Sequence, residues 1–60
     1  MRIAIVLRRY RAITEKTTRE LAAEIGIGAS TYSRIERGEG MDGETLATIL
    51  KWLLSEEKPA

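Results

Sequence analysis

The sequence of 60 residues contains no cysteine and no histidine. Disulfide frameworks, thiol nucleophiles and imidazole bases are therefore excluded, as are zinc sites built from the usual ligands. We expect no metal ion and no other cofactor. Phenylalanine is also absent, and the single proline is Pro59. The core must therefore consist of aliphatic side chains packed with a few tyrosine and tryptophan rings.

Long hydrophobic runs are absent as well. The longest uncharged apolar run, Ile3 to Leu7, is too short to cross a bilayer, and no small-residue cleavage site follows it. We therefore expect neither a membrane helix nor a signal peptide, and a cytoplasmic protein. The scattered Glu and Lys residues form no nucleophile-base pair, and so short a chain leaves little room for a pocket. An enzyme acting on a small-molecule substrate is not expected.

The charges are distributed unevenly. Hydrophobic residues make up 43% and charged residues 32% of the chain, which is typical of a soluble globular domain. Residues 1–37 hold eight basic and four acidic side chains, whereas residues 38–60 hold two basic and five acidic ones. A positive first part and a negative second part suit a protein that binds phosphates in a fixed orientation. An unevenly charged solvated surface is the alternative.

Apolar spacing predicts the first of four helices, from about Arg2 to Thr14. Its stripe follows the spacing i, i+3, i+4, i+7 and i+10. The stripe consists of Ile3, Val6, Leu7, Tyr10 and Ile13.

Capping residues predict where the next two helices begin and end. Thr17 and Glu20 fit a capping box, in which each side chain bonds the backbone amide of the other residue. Gly26 ends this second helix, and a third helix begins near Gly28 and ends at Gly38. The inward residues of these two helices are Leu21, Ala22, Ile25, Tyr32 and Ile35.

The last helix is predicted to begin at an Asp42 cap and to end where the chain becomes polar at Ser55. Its apolar stripe consists of Leu46, Ile49, Leu50 and Leu53. Trp52 lies beside this stripe, where it forms either a partly buried flank or a dimer contact. Ile5 points away from the stripe of the first helix, as a stray exposed residue or as part of a partner surface.

The run from Thr18 to Gly38, TRELAAEIGIGASTYSRIERG, closely resembles the Cro/repressor-type (cro/C1-type) helix-turn-helix family of phage and bacterial transcriptional regulators. The most specific part is the block Ser33 to Gly38, which follows the block Leu21 to Gly26 at a fixed separation. The resemblance extends from about Ile3 to Leu53.

The resemblance implies an all-α fold, a compact lambda-repressor-like bundle of four short helices, with five as the alternative. One DNA-binding domain would occupy residues 1–55, with the helix-turn-helix at 18–37 and a flexible C-terminal tail at 56–60. The sequence ends after the fourth predicted helix, so we expect the fifth helix, through which many members dimerise, to be absent.

The resemblance also implies residue roles in DNA binding. Base edges would be contacted from the exposed positions of the third helix, of which Arg34 is best suited because its fork can bond guanine O6 and N7 together. These positions are Ala29, Ser30, Ser33 and Arg34. Phosphates would be contacted by Thr18, by Arg37 and by the backbone near Gly40. Arg19 is directed to phosphate or simply solvated.

A structural ion pair is implied between Arg11 and Glu36, joining the first and third helices. Tyr32 stands where the family usually has a branched aliphatic residue, and we expect its ring in the core with its hydroxyl reaching solvent. Glu15 replaces the usual glycine after the first helix, so that turn is expected to differ or to carry strain. Gly28 replaces a common hydroxyl cap, at little cost.

Together these patterns predict sequence-specific binding to a double-stranded DNA operator, in the manner of a transcriptional repressor. A homodimer on a two-fold operator, associated with the nucleoid in the cytoplasm, is the expected form. The alternative is a protein-interaction module, such as an antitoxin-like partner, that keeps the fold but engages another protein through Ile5, Trp52 or the acidic tail.

Overall fold

The computed structural model describes residues 2–55, which form four α-helices joined by short turns. In chain order they are α1 (Ile3–Thr14), α2 (Thr18–Ile25), α3 (Ala29–Glu36) and α4 (Gly43–Leu54). No strand occurs within these residues, so the prediction of an all-α bundle is confirmed. The predicted tail, residues 56–60, lies outside the described residues.

A single apolar core joins the four helices. Each helix contributes at least one fully buried side chain, and full burial of a large aliphatic side chain contributes about 1.5–3 kcal/mol. The buried apolar residues are Leu7, Leu21, Ala22, Ile25, Tyr32, Ile35, Ile49 and Trp52. Because α3 packs against both α1 and α2, and α2 also packs against α4, the orientation of α3 is fixed from two sides.

The start of α4 is fixed by a side-chain cap. The Thr45 amide donates to Asp42 Oδ1 at 2.7 Å, and this hydrogen bond holds the pKa of the Asp42 carboxyl below its usual value. The predicted cap is therefore confirmed, and it sets the direction in which the last helix crosses α2.

Strain is present in the turn after α1. Glu15 has φ +55° and ψ +36°, a left-handed conformation that L-residues with a side chain adopt only at a cost. The turn is closed by hydrogen bonds from the amides of Glu15 and Lys16 to carbonyls in the last turn of α1. The expectation of strain at Glu15 is confirmed.

Two apolar residues differ from their predicted placement. Ile13 is 81% exposed, although it was assigned to the buried stripe of α1. Ten residues after Ile3, at about 100° per residue, Ile13 has rotated roughly 80° away from the direction of Ile3. Trp52 is only 8% exposed and belongs to the core, so both alternatives predicted for it, a partly buried flank and a dimer contact, were wrong. The core side of α4 lies between Ile49 and Trp52.

Candidate nucleic-acid interface

The first part of the candidate interface is the N-terminus of α2. The Glu20 amide donates to Thr17 Oγ1 at 3.1 Å, and the Thr17 amide donates to Glu20 Oε1 at 2.9 Å, which completes the capping box. These bonds lower the pKa of the Glu20 carboxyl. Leu21 donates the first intrahelical bond, to the Thr17 carbonyl. The amides of Thr18 and Arg19 therefore lie at the positive end of the helix, where an anion is favoured.

The turn between α2 and α3 is three residues long. Gly26 adopts φ +95°, and the amides of Gly26 and Ile27 both donate to the Ala22 carbonyl, at 2.9 and 3.0 Å. A residue with a side chain would be strained at this φ. Gly28 then caps α3 without a side-chain hydrogen bond. Because Ala22 is small and only 1% exposed, α3 can pack closely on α2.

Helix α3 has a buried side and an exposed side. Tyr32 and Ile35 are buried, and they hold the helix against the core. The opposite side spans an arc of about 140° at about 100° per residue. It carries Ala29, Ser30 and Arg34, which are exposed, and Ser33, which is half-buried. The structure thus brings the four residues expected to read bases onto one face.

The segment after α3 carries the remaining candidate phosphate contacts. Gly38 adopts φ +83°, and its amide donates to the Ile35 carbonyl at 2.9 Å, which turns the chain out of the helix. Arg37 Nε donates to Glu39 Oε2 at 2.9 Å, and both side chains are more than half exposed. Such a surface pair is worth only about 0–1 kcal/mol, so a phosphate can compete for Arg37. Gly40 is exposed in the same segment.

Arg11 and Glu36 lie behind this surface and form an ion pair. Arg11 Nε and Nη2 donate to the two carboxylate oxygens of Glu36, at 2.8 and 3.0 Å. The pairing lowers the pKa of Glu36 and raises that of Arg11, because each charge stabilises the other. The Tyr32 hydroxyl also donates to Glu36 Oε2. The prediction that this hydroxyl reaches solvent was therefore wrong, and burial raises the pKa of Tyr32 well above its ordinary value.

Sequence reasoning missed a second carboxylate centre, at Glu24. Its side chain is 7% exposed and accepts from Tyr10 Oη at 3.2 Å, from Trp52 Nε1 at 3.1 Å and from Lys16 Nζ. The bond to Glu24 raises the pKa of Lys16. Tyr10 and Trp52 also meet edge to face, with ring centroids 5.0 Å apart. The only local signal was the position of Glu24 at the edge of the inward face of α2.

Two exposed arginines lie near the ends of the helix-turn-helix, Arg19 in the first turn of α2 and Arg34 in the last turn of α3. Arg19 and Arg34 are exposed, and neither forms an ion pair within residues 2–55. Positive charge on and beside an exposed helix face suits a polyanion such as the DNA backbone. In this same part of the chain, no group of three acidic residues could hold a metal ion.

The geometry is that of two short helices crossing at a tight turn, with the second helix exposed along one face. A family model described as "Helix-turn-helix domain" matches residues 2–52. The chain belongs to the helix-turn-helix domain family. The match is consistent with the resemblance to Cro/repressor-type regulators, and membership supports DNA binding with a regulatory role.

Helix-turn-helix domains of this family are typically non-enzymatic. Comparison with curated proteins and with solved structures gave no match for this helix-turn-helix chain. None of the helices within residues 2–55 is long and apolar enough to cross a membrane.

Proposed function

We propose that this helix-turn-helix protein is a transcriptional repressor that binds a two-fold DNA operator as a homodimer, in the cytoplasm at the nucleoid. The observation that carries the proposal is the exposed face of α3, where Ala29, Ser30, Ser33 and Arg34 lie together. An α-helix fits the major groove, where base edges differ in their donor, acceptor and methyl patterns.

Arg34 is the proposed main reader of sequence. Its guanidinium can donate two hydrogen bonds to one guanine, which contributes about 1–3 kcal/mol of discrimination against other bases. Ala29 suits contact with a thymine methyl, while Ser30 and Ser33 discriminate less because a hydroxyl both donates and accepts. With one long polar side chain on this face, DNA shape and phosphate contacts contribute a large share of the specificity and affinity.

Four groups are proposed to contact phosphates. Thr18 and Arg19 approach one phosphate from the N-terminus of α2, where the helix dipole favours an anion. Arg37 and the Gly40 backbone approach the sugar-phosphate chain beyond α3. Arg11 and Glu36 are assigned to structure, since each already satisfies the other.

The experiment that tests the proposal is selection of bound duplexes from a random pool, followed by affinity measurements at several salt concentrations. We expect a palindromic consensus with half-sites about one helical turn apart, and affinity that falls steeply with salt. Arg34→Ala should relax the consensus at one base pair per half-site. Arg19→Ala should weaken all sequences about equally and reduce the salt dependence.

Arg9→Ala is the matched control, because Arg9 is exposed on α1 and lies outside the proposed contacts. It should leave the selected consensus unchanged. Selection of no consensus by the wild type, or an unchanged consensus with Arg34→Ala, would contradict the proposed readout.

A further inference from the structure

A groove lies away from the exposed face of α3, between the first turns of α1 and the segment that joins α3 to α4. Its volume is about 620 Å³. None of the four proposed base-reading residues lines it, whereas Arg37, one of the proposed phosphate contacts, does. Its apolar lining consists of Ile3, Ala4, Ile5, Ile35, Met41 and Leu46.

Helix α4 extends this apolar lining beyond the groove. Leu46, Leu50 and Leu54 recur every four residues and cover a length of about 12 Å. Leu46 is 37% exposed and Leu54 is 80% exposed, so the core leaves this side of the helix largely uncovered. Gly43 and Ala47 lie beside the leucines and are small enough to let another backbone approach closely. We call the groove and this leucine row together the Leu46 face.

Charges divide the surroundings of the Leu46 face into two halves. Arg2 and Arg8 are exposed on the α1 side, line the groove and form no ion pair within residues 2–55. Glu39, Asp42 and Glu44 are exposed on the side where α4 begins; Arg37 also lines the groove there, and its ion pair with Glu39 offsets its charge, so this side stays acidic in sum. A two-fold axis that runs between the halves would bring the basic half of one molecule against the acidic half of another. Closed dimers require such a self-complementary patch.

We propose that the Leu46 face is covered by a second copy of this chain. The leucine row of each copy packs into the groove of the other, and Arg2 and Arg8 face the acidic start of the partner α4. This inference deepens the homodimer of the proposed function by naming its surface. It leaves the exposed side chains of α3 uncovered in both copies.

Self-association of the full chain without DNA tests the proposal. Sedimentation equilibrium over a range of about 1 μM to 1 mM should show a shift from monomer to dimer mass. Leu46→Glu places a charge in the apolar contact and should raise the dissociation constant about tenfold or more. The control is Ile13→Glu, because Ile13 is 81% exposed but lies at the other end of α1, outside the groove. It should leave the dissociation constant within about twofold.

Charge reversal tests the two-fold arrangement. Arg8→Glu alone and Glu44→Arg alone each place like charges opposite one another and should weaken self-association. In a dimer formed from one copy of each variant, the introduced glutamate faces the introduced arginine, and the native Arg8 faces the native Glu44. An equimolar mixture should therefore form dimers more readily than either variant by itself. The basic and acidic halves can produce this recovery only if they meet between copies.

Three results would overturn the inference: a monomer at every concentration, equal weakening by Leu46→Glu and Ile13→Glu, or no gain on mixing the charge variants. Binding of Leu46→Glu to a single half-site duplex separates this outcome from the proposed function. If the variant binds the half-site like the wild type but does not dimerise, DNA binding and the Leu46 face are independent. Circular dichroism of each variant establishes that it is folded.

Discussion

Arg11 and Glu36 connect α1 to α3 through two parallel hydrogen bonds, with Nε donating to Oε2 at 2.8 Å and Nη2 donating to Oε1 at 3.0 Å. The Glu36 side chain is 11% exposed and that of Arg11 is 31% exposed. The pair is therefore better shielded from water than the surface pair formed by Arg37 and Glu39. It fixes the end of α3 from which Arg34 projects.

Glu36→Gln should lower the free energy of unfolding by about 1–3 kcal/mol, because the half-buried Arg11 charge loses its counter-charge. Urea denaturation followed by circular dichroism measures the change. The matched control is Glu39→Gln, which breaks an exposed pair and should cost less than about 1 kcal/mol. Equal losses for the two variants would show that burial adds nothing to the Arg11 pair.

Acid should destabilise the protein through the same carboxyl group. Arg11 lowers the pKa of Glu36 in the folded state, so the resulting stability is present above the unfolded pKa of about 4.3 and is lost as pH falls through the folded value. Glu20 and Asp42 also have lowered pKa values and act in the same direction. The urea concentration at the unfolding midpoint should decrease as the pH is lowered below about 4.3, and it should decrease less steeply in Glu36→Gln. An identical slope in the variant contradicts this assignment.

Alkaline pH should destabilise the protein through Tyr32. Burial raises its pKa in the folded state, so stability is fully present below the unfolded value of about 10 and falls as pH rises above it. One such group contributes a slope of up to about 1.4 kcal/mol per pH unit. Tyr10 and Lys16 also have raised pKa values and add to the loss.

Tyr32→Phe should flatten the alkaline limb of the stability profile between about pH 10 and pH 12, measured by urea denaturation. Tyr10→Phe serves as the comparison, since Tyr10 is only half-buried while Tyr32 is fully buried. The Tyr32 variant should lose more of the slope. An alkaline limb in Tyr32→Phe that is as steep as in the wild type, or steeper, contradicts this assignment.

Glu15→Gly should stabilise the protein by about 0.5–1 kcal/mol. Relief of the left-handed strain at φ +55° outweighs the added freedom of glycine in the unfolded chain. Glu15→Ala is the control, because it removes the carboxylate but keeps the Cβ atom, and it should bring no such gain. If alanine stabilises as much as glycine, charge and not backbone conformation is responsible.

The helices could be predicted from the sequence because their determinants are local. The capping residues Thr17, Gly26 and Asp42 act within one helical turn, and they are found where the pattern predicts them. The core-facing side of α4 could not be predicted in the same way. Its apolar residues cover more of the helix circumference than the side that packs on the core, so the pattern alone does not show which side is buried. The side that is buried, between Ile49 and Trp52, lies roughly 80° from the centre of the predicted stripe.

In the candidate site, too, the features that depend on local spacing could be predicted, and those that depend on distant contacts could not. Which residues share the exposed face of α3 follows from helical periodicity once the buried Tyr32 is known. Their contacts with bases stay predictions, since they depend on a bound duplex. The bonds to Glu24 come from Tyr10, Lys16 and Trp52, which are 14, 8 and 28 residues away along the chain. A local sequence pattern cannot predict that residues so far apart along the chain bind the same carboxylate.

The meeting of Trp52 with Glu24 provides the protein with an internal optical reporter. Trp52 is the single tryptophan of the chain, and its indole N–H bonds a carboxylate on α2 while its ring packs against Tyr10 on α1. Its emission therefore reports whether α4 remains docked on the helix-turn-helix. Partial detachment of α4 can be followed in the native chain, with no added label, separately from melting of the other three helices.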